Sequence, residues 1–188
     1  MAVLFFGGFY QFDINNPDRE ENDRVVFSKG HASPLLYALY HLAGVVSRKE
    51  LFTLRDFSSN LEGHPSMRFP FTEAATGSLG QGLSIGLGIA LTQKHARTYV
   101  LLGDSELAEG QVWEAVTWAG YRRVDNLVAL VDVNRLGQRG ETMIGWHIHE
   151  YEKRFAAFGW HTITLGNGHD VDAVSKAYTQ ALTIKNKP

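Results

Sequence analysis

The sequence has no cysteine, little net charge and no long apolar run. The absence of cysteine excludes a disulfide framework and a thiolate metal site, and it is typical of a cytosolic protein. A formal net charge of −2 lacks the excess of positive charge that is typical of a nucleic-acid-binding domain. No apolar run reaches the roughly 18 residues that a membrane span needs. We therefore expect a cytoplasmic protein with neither a nucleic-acid nor a membrane partner.

The remaining composition is that of an ordinary globular domain. The chain has 188 residues, of which 44% are hydrophobic, enough for one domain with a sizeable core. Ala2–Phe6 is apolar and has neither a charged leader nor a cleavage site, so no signal peptide is predicted. This stretch is typical of the second half of a helix, and Pro188 stands where another strand is expected. We predict a single domain over residues 1–188 that is truncated at both ends.

The strongest structural pattern lies in the middle of the chain. Tyr99–Leu102 and Asn126–Val131 are short apolar runs, and 107–121 between them carries apolar residues at helical spacing. Two buried parallel strands joined by a helix form a βαβ unit. This unit predicts an α/β domain, and ligands of such domains bind outside the carboxyl ends of the strands.

Further elements follow from the same periodicities. Gly80, Gly82, Gly86 and Gly88 fall inside one predicted helix, where each glycine costs about 1 kcal/mol relative to alanine. Such a series indicates either close packing or a ligand against the backbone. The predicted elements are a strand at 24–28, helices at 35–43, 48–55 (with Ser47 as N-cap and Glu50 as its capping-box partner) and 75–95, a polar loop at 139–146, a helix at 148–158, a strand at 161–165 and a helix at 171–184.

Oxygen-bearing side chains follow both central strands. Asp104 comes directly after the first strand, and Asn134 follows the second, thirty residues later. Neither residue has a histidine three or four positions away, so the pattern does not favour zinc. A carboxylate, an amide oxygen and the backbone carbonyl of Leu136 would suit Mg²⁺ or Ca²⁺ together with phosphate oxygens. The alternative is that Asp104 and Asn134 are only turn residues.

The turn after the first strand is also a candidate anion site. Gly103-Asp104-Ser105 leads into a helix N-terminus, where backbone amides and the helix dipole favour a phosphate. Glu106, Glu109 and Glu114 lie in or near the first turns of that helix. The dipole alone accounts for acidic residues at these positions.

Two histidines stand in loops behind glycine. His31 follows Gly30, and His64 follows Gly63. A lone loop histidine is usually just exposed, but Pro34 and Pro65 stiffen the segments that follow these two. We interpret His31 and His64 as candidate hydrogen-bond donors or proton shuttles.

Taken together, these residues resemble the thiamine diphosphate-binding half of the transketolase family. The family's cofactor motif is a Gly-Asp-Gly turn followed about thirty residues later by asparagine, which matches Gly103-Asp104-Ser105 and Asn134. The similarity covers nearly the whole chain, and the turn after Asp132 resembles the animal-type branch. The other matching stretches are Ser28-Lys29-Gly30-His31-Ala32, Glu62-Gly63-His64-Pro65, Thr76-Gly77-Ser78-Leu79-Gly80-Gln81-Gly82, Glu109-Gly110, Trp113-Glu114-Ala115 and Asp132-Val133-Asn134-Arg135-Leu136-Gly137-Gln138.

The resemblance implies a fold and a reaction. The fold is a three-layer α/β/α domain with a doubly wound, mostly parallel sheet. The reaction is transfer of a two-carbon ketol unit from a ketose phosphate to an aldose phosphate, with thiamine diphosphate and a divalent metal. The implied partners are sugar phosphates and a pyrimidine-binding domain or subunit, in a homodimer or heterotetramer.

The resemblance also implies residue roles. Asp104, Asn134 and the Leu136 carbonyl would bind Mg²⁺ or Ca²⁺, which bridges the cofactor's diphosphate. His64 would face the reacting centre. Glu109 and Glu114 would lie at a dimer interface, in a network that links two active sites. The cofactor contacts would be His31, Gly77, Ser78, Leu79 and the Ser105 amide, with Gln138 near the thiazolium ring.

Two departures qualify the resemblance. Ser105 replaces the family's second motif glycine, which places a Cβ near the diphosphate and predicts weaker binding. The family's first helix should precede Met1, and the domain with the glutamate that activates the aminopyrimidine should follow Pro188. A lysine and a histidine of the family are also missing, so we expect no transketolase activity from this chain alone.

Two alternatives to transketolase stay open. Deoxyxylulose-phosphate synthase and 2-oxo acid dehydrogenase subunits share the Asp–Asn cofactor motif, but they do not combine it with the Lys29-Gly30-His31 and Gly63-His64-Pro65 segments. The chain could also be a truncated, inactive paralogue that only binds a partner.

Overall fold

A parallel three-stranded sheet forms the centre of the computed structural model, which describes residues 1–188. The strands are β1 (Arg24–Phe27), β2 (Thr98–Gly103) and β3 (Leu127–Asp132), in the order β1-β2-β3. The register pairs residue 25 with 99 and residue 103 with 132. Because all three strands run parallel, their carboxyl ends share one edge of the sheet.

The helices are short, and none has the length and apolar character to cross a lipid bilayer. Single 3₁₀ turns over Gly30–Ala32 and Asp104–Ala108 follow β1 and β2. The helices are α1 (Ala2–Phe6), α2 (Ser33–Leu42), α3 (Arg48–Leu51), α4 (Gln81–Thr92), α5 (Gly110–Arg122), α6 (Ile148–Ala157) and α7 (Val171–Thr183).

Alternation along the strands divides the core between the two faces of the sheet. Val26 and Val100 pack with residues of α4, α5 and α6 on one face. Val25 and Tyr99 pack with residues of α1, α2 and α7 on the other. Helices therefore cover both faces, which confirms the predicted α/β/α architecture with a parallel sheet.

Helix α4 packs so closely against the sheet that no side chain fits at two of its glycines. A Cβ atom at Gly82 would come 2.3 Å from the Cβ of Ser28, and one at Gly86 would come 2.3 Å from a methyl carbon of Val100. Gly88 faces open space. Close packing therefore explains Gly82 and Gly86 and does not explain Gly88.

The predicted start of this helix was wrong. Helix α4 begins at Gln81, and residues 75–80 form a turn in which Gly77 and Gly80 have φ values of 143° and 86°. These are left-handed values that glycine adopts readily, so the glycines mark the turn before the helix. Ser47 is the N-cap of α3, as predicted, and accepts from the Glu50 N–H at 3.1 Å.

The predicted strand at 161–165 was also wrong. The segment belongs to no sheet, and its His161 N–H donates to the Pro188 carbonyl at 2.9 Å. A run of β-branched residues favours a strand only when a neighbouring strand completes the ladder. Within this chain no other strand pairs with that segment.

Two smaller differences concern the neighbourhood of the site. The predicted helix over 107–121 is a 3₁₀ turn followed by α5, so Glu109 is the N-cap of α5 and lies outside the helix. The predicted polar loop contains one strand of a hairpin, β5 (Gly140–Glu141), which pairs antiparallel with β4 (Leu136–Gly137).

Candidate functional site

The carboxyl ends of the three strands bring the candidate polar residues to one edge of the sheet. Ser28 follows β1, Asp104 follows β2 and Asn134 stands two residues after β3. Gly103 and Asp132 are register partners, so the turns after β2 and β3 start side by side. The turns that carry the two predicted oxygen ligands, Asp104 and Asn134, therefore start at adjacent strand ends.

Asp104 is a buried carboxylate, with only 4% of its surface exposed. Its Oδ2 atom accepts the Arg135 N–H at 2.9 Å and the Thr142 hydroxyl at 2.8 Å. Its Oδ1 atom accepts the Ser105 N–H at 3.1 Å. No lysine, arginine or histidine forms an ion pair with Asp104. These three hydrogen bonds offset part of the cost of burying the charge, and a bound cation would offset more of it.

Asn134 shapes the turn after β3. Its Oδ1 atom accepts the Leu136 N–H at 2.8 Å, which is an Asx turn. Arg135 between them has a φ of 65°, so the chain reverses sharply at this residue. Leu136 is exposed, and Gln138 stands exposed in the two-residue connection between β4 and β5.

Ser105 is accommodated without backbone strain. It lies in the 3₁₀ turn after β2, and its φ is not in the left-handed region that would demand glycine. The half-buried residue follows Asp104 at the mouth of the turn. Serine therefore fits this backbone, and it differs from the family's glycine only by its small side chain, the Cβ atom and its hydroxyl.

The sequence reasoning missed a role for Glu106. This side chain is 1% exposed, and it accepts the Ser28 hydroxyl at 2.6 Å, the Gly80 N–H at 2.9 Å and the Gly103 N–H at 2.8 Å. One carboxylate thus joins the ends of β1 and β2 to the start of α4. Its position three residues after Gly103, at the start of a helical turn, was the available signal.

The turn that contains Gly77 packs against the two histidine loops. A Cβ atom at Gly77 would come 3.0 Å from Cδ2 of His64, and one at Gly30 would come 2.8 Å from the Gly77 nitrogen. Thr76 fixes the turn, because its hydroxyl donates to the Phe27 carbonyl at 2.6 Å. The structure thus brings the His31 loop, the His64 loop and the Gly77 turn together.

His31 lies in a 3₁₀ turn beside a buried cation. Burial lowers the pKa of His31, the positive charge of Lys29 lowers it further, and the carboxylate of Glu106 opposes the change. Lys29 is itself buried and pairs with Asp132 across the strand ends. A neutral imidazole at His31 is thereby favoured near neutral pH, and it can accept or donate a hydrogen bond.

The remaining residues that the sequence predicts for the site lie around these contacts. Ser78 is exposed and Leu79 half-buried in the turn before α4. Glu109 and Glu114 are both exposed. The Cβ atom of Glu109 nevertheless packs close to Gly80, because a Cβ atom added at Gly80 would lie 3.0 Å from it. Glu114 lies one turn into α5 and makes no side-chain hydrogen bond or ion pair within the chain.

Similar proteins identify the family. The model of the family described as "Transketolase, thiamine diphosphate binding domain" matches residues 1–188. Mouse transketolase is 48% identical over 96% of this chain, which spans 30% of that protein. One of the subunits of the apulose-4-phosphate transketolase of Phocaeicola vulgatus is 37% identical over 94% of this chain, which spans 66% of that polypeptide. The solved transketolase of Leishmania mexicana superimposes with a TM-score of 0.92 at 31% identity, over all of this chain and 30% of that one.

Proposed function

The chain belongs to the transketolase thiamine diphosphate-binding domain family, and from this premise we propose that it holds the diphosphate of the cofactor through a divalent cation. Asp104, Asn134 and the Leu136 carbonyl would bind Mg²⁺ or Ca²⁺. The observation that carries the proposal is the buried Asp104 carboxylate, which has no cationic partner and lies at the end of a parallel strand. Hard oxygen ligands on two adjacent turns suit either ion, since both leave positions for phosphate oxygens.

The turns around the metal ligands would bind the anion. The Ser105 N–H lies at the mouth of the turn after β2, and its present acceptor is the metal ligand Asp104. The Gly77–Leu79 segment and His31 would contact the cofactor from the neighbouring loops. The amide of Gly80 is already used by Glu106, so the diphosphate would be held by the residues before it.

His64 would act at the reacting centre. Its ring packs beside Gly77 and its side chain is exposed, so it can reach a substrate that enters from solvent. An imidazole there can donate a hydrogen bond to a substrate oxygen or move a proton. The bound cofactor supplies the nucleophilic carbon for ketol transfer. Gln138, on the exposed hairpin, would lie near the thiazolium ring.

We further propose that the complete reaction is transketolase-type ketol transfer between sugar phosphates and that it needs a pyrimidine-binding domain or subunit. The chain spans about 30% of the transketolases that it matches. One relative of which it spans 66% carries the name of a transketolase subunit, which supports an arrangement of separate polypeptides. Exposed Glu109 and Glu114 would then lie at a homodimer or heterotetramer interface.

A ketol-transfer assay tests the proposal. The chain is supplied with thiamine diphosphate, Mg²⁺, a ketose phosphate and an aldose phosphate, with and without a pyrimidine-binding domain of the same family. We expect product only when both parts are present. Activity of this chain alone would contradict the requirement for a partner. Cofactor binding without any activity in the pair would favour the inactive paralogue.

A further inference from the structure

The segment after Asn134 returns to the metal-site carboxylate. We call residues 135–146, which contain the β4–β5 hairpin, the strap. At its start, the Arg135 N–H donates to Oδ2 of Asp104 at 2.9 Å. Seven residues later, the Thr142 hydroxyl donates to the same oxygen at 2.8 Å. One carboxylate oxygen thus holds the strap at two points.

The strap also closes on itself between these points. The Thr142 N–H donates to the Arg135 carbonyl at 2.9 Å, outside the hairpin pair of 136 with 141. The Arg135 guanidinium lies 4.8 Å from the ring centre of Trp146 and 3.5 Å from the carboxylate of Glu141. The position of exposed Gln138 therefore depends on how firmly the strap is held at Asp104.

The two oxygens of Asp104 carry different numbers of hydrogen bonds, and the Thr142 hydroxyl accounts for the difference. Oδ2 carries two hydrogen bonds, whereas Oδ1 carries only the Ser105 N–H. We propose that Thr142 is a positioning residue, which orients Asp104 for metal binding and couples that binding to the placement of the strap that bears Gln138. This inference rests on the proposed role of Asp104 as a metal ligand.

A buried tyrosine lies near both Thr142 and Asp104. Tyr151 of α6 is buried in the core cluster, and its own hydroxyl makes no hydrogen bond. Burial raises the pKa of Tyr151, and both Thr142 and Asp104 are near enough to influence it. Groups that hydrogen-bond to metal ligands orient those ligands, and their loss typically lowers metal affinity by about 10- to 100-fold.

Hydrogen exchange of the metal-free protein tests the coupling to the strap. Thr142→Val keeps the shape of the side chain and removes the hydroxyl, and Thr142→Ser keeps the hydroxyl. Thr179→Val is the matched control, because Thr179 is exposed on α7 and donates only to a carbonyl of its own helix. We expect amide exchange in the strap to accelerate by roughly tenfold in Thr142→Val and to stay near wild type in the other two. Unchanged strap exchange in Thr142→Val would overturn the inference.

Calorimetric titration with Mg²⁺ and thiamine diphosphate tests the effect on the metal. We expect Thr142→Val to bind the metal about 10- to 100-fold more weakly and Thr142→Ser to bind like wild type. Equal affinities of wild type and Thr142→Val would overturn the inference about Thr142 and leave the proposed function standing. Failure of the wild type to bind would overturn the proposed function and, with it, the metal role of Thr142.

Discussion

The carboxylate of Glu106 accepts the backbone N–H of Gly80 at 2.9 Å, across 26 residues of sequence. The same side chain accepts the Ser28 hydroxyl and the Gly103 N–H. Three segments of the candidate site are therefore fixed to one another by one buried anion. The geometry of the turn before α4 depends on Glu106 as much as on its own glycines.

Removing this carboxylate should be strongly destabilising. Glu106→Ala leaves three buried donors without an acceptor, and each unpaired donor costs about 1–3 kcal/mol, so we expect a loss of roughly 3 kcal/mol or more. Glu106→Gln keeps one acceptor oxygen and should lose about half as much. Urea unfolding of both variants measures these losses. Glu20→Ala, at an exposed position, is the control and should change stability by less than about 0.5 kcal/mol. An Ala variant as stable as this control would show that Glu106 does not hold the three segments together.

Replacing two glycines of α4 by alanine should change the stability of the fold in opposite directions. Gly86 packs on Val100 with no room for a methyl group, so Gly86→Ala should destabilise the fold by about 1–3 kcal/mol. Gly88 lies in the same helix and faces open space, so Gly88→Ala should stabilise it by up to about 1 kcal/mol. Thermal unfolding of the pair measures both changes. Equal shifts would contradict the packing of α4 against β2.

Ser105 should weaken cofactor binding without straining the fold. Its Cβ atom stands where the family has none, so we expect Ser105→Gly to bind thiamine diphosphate about three to ten times more tightly, a gain of up to roughly 1.4 kcal/mol. The same change should lower the stability of the cofactor-free protein by about 0.5–1 kcal/mol, because glycine is more flexible in the unfolded chain. Calorimetry and urea unfolding separate the two effects, with exposed Ser58→Gly as the control. Equal affinities of Ser105→Gly and the parent would refute the effect on binding.

His31 should titrate below its ordinary pKa of 6.5. Because its folded pKa is lowered, protons bind preferentially to the unfolded chain. The contribution of neutral His31 to stability is therefore complete above pH 6.5 and is lost as pH falls through the folded pKa. An NMR titration of the His31 ring measures the pKa directly. Lys29→Met should raise it, since the Lys29 charge is one of its causes. A native pKa at or above 6.5 would contradict this environment.

The sequence predicted the frame of the site because its signals there are local. Apolar runs identified β2 and β3, and the polar residues directly after them placed Asp104 and Asn134 at one edge of the sheet. The contacts of Glu106 with Gly80 and of Thr142 with Asp104 cross 26 and 38 residues. No periodicity reports such pairs, so they became visible only when the chain was folded.

Two errors have the same physical origin. The segment 161–165 has the composition of a strand, but strand formation depends on a partner that sequence periodicity does not supply. Gly77 and Gly80 were assigned to a helix, whereas their positive φ values show a turn that ends at the N-cap of α4. In both cases tertiary context decided the conformation.

The most direct measurement is calorimetric titration of the protein with thiamine diphosphate in the presence and absence of Mg²⁺. The central claim is that the buried Asp104 carboxylate holds the cation that binds the diphosphate. We predict metal-dependent binding by the wild type and a loss of affinity of at least about tenfold in Asp104→Asn, which keeps the shape and removes the charge. Binding that is independent of Mg²⁺, or equally tight in Asp104→Asn, would contradict the account.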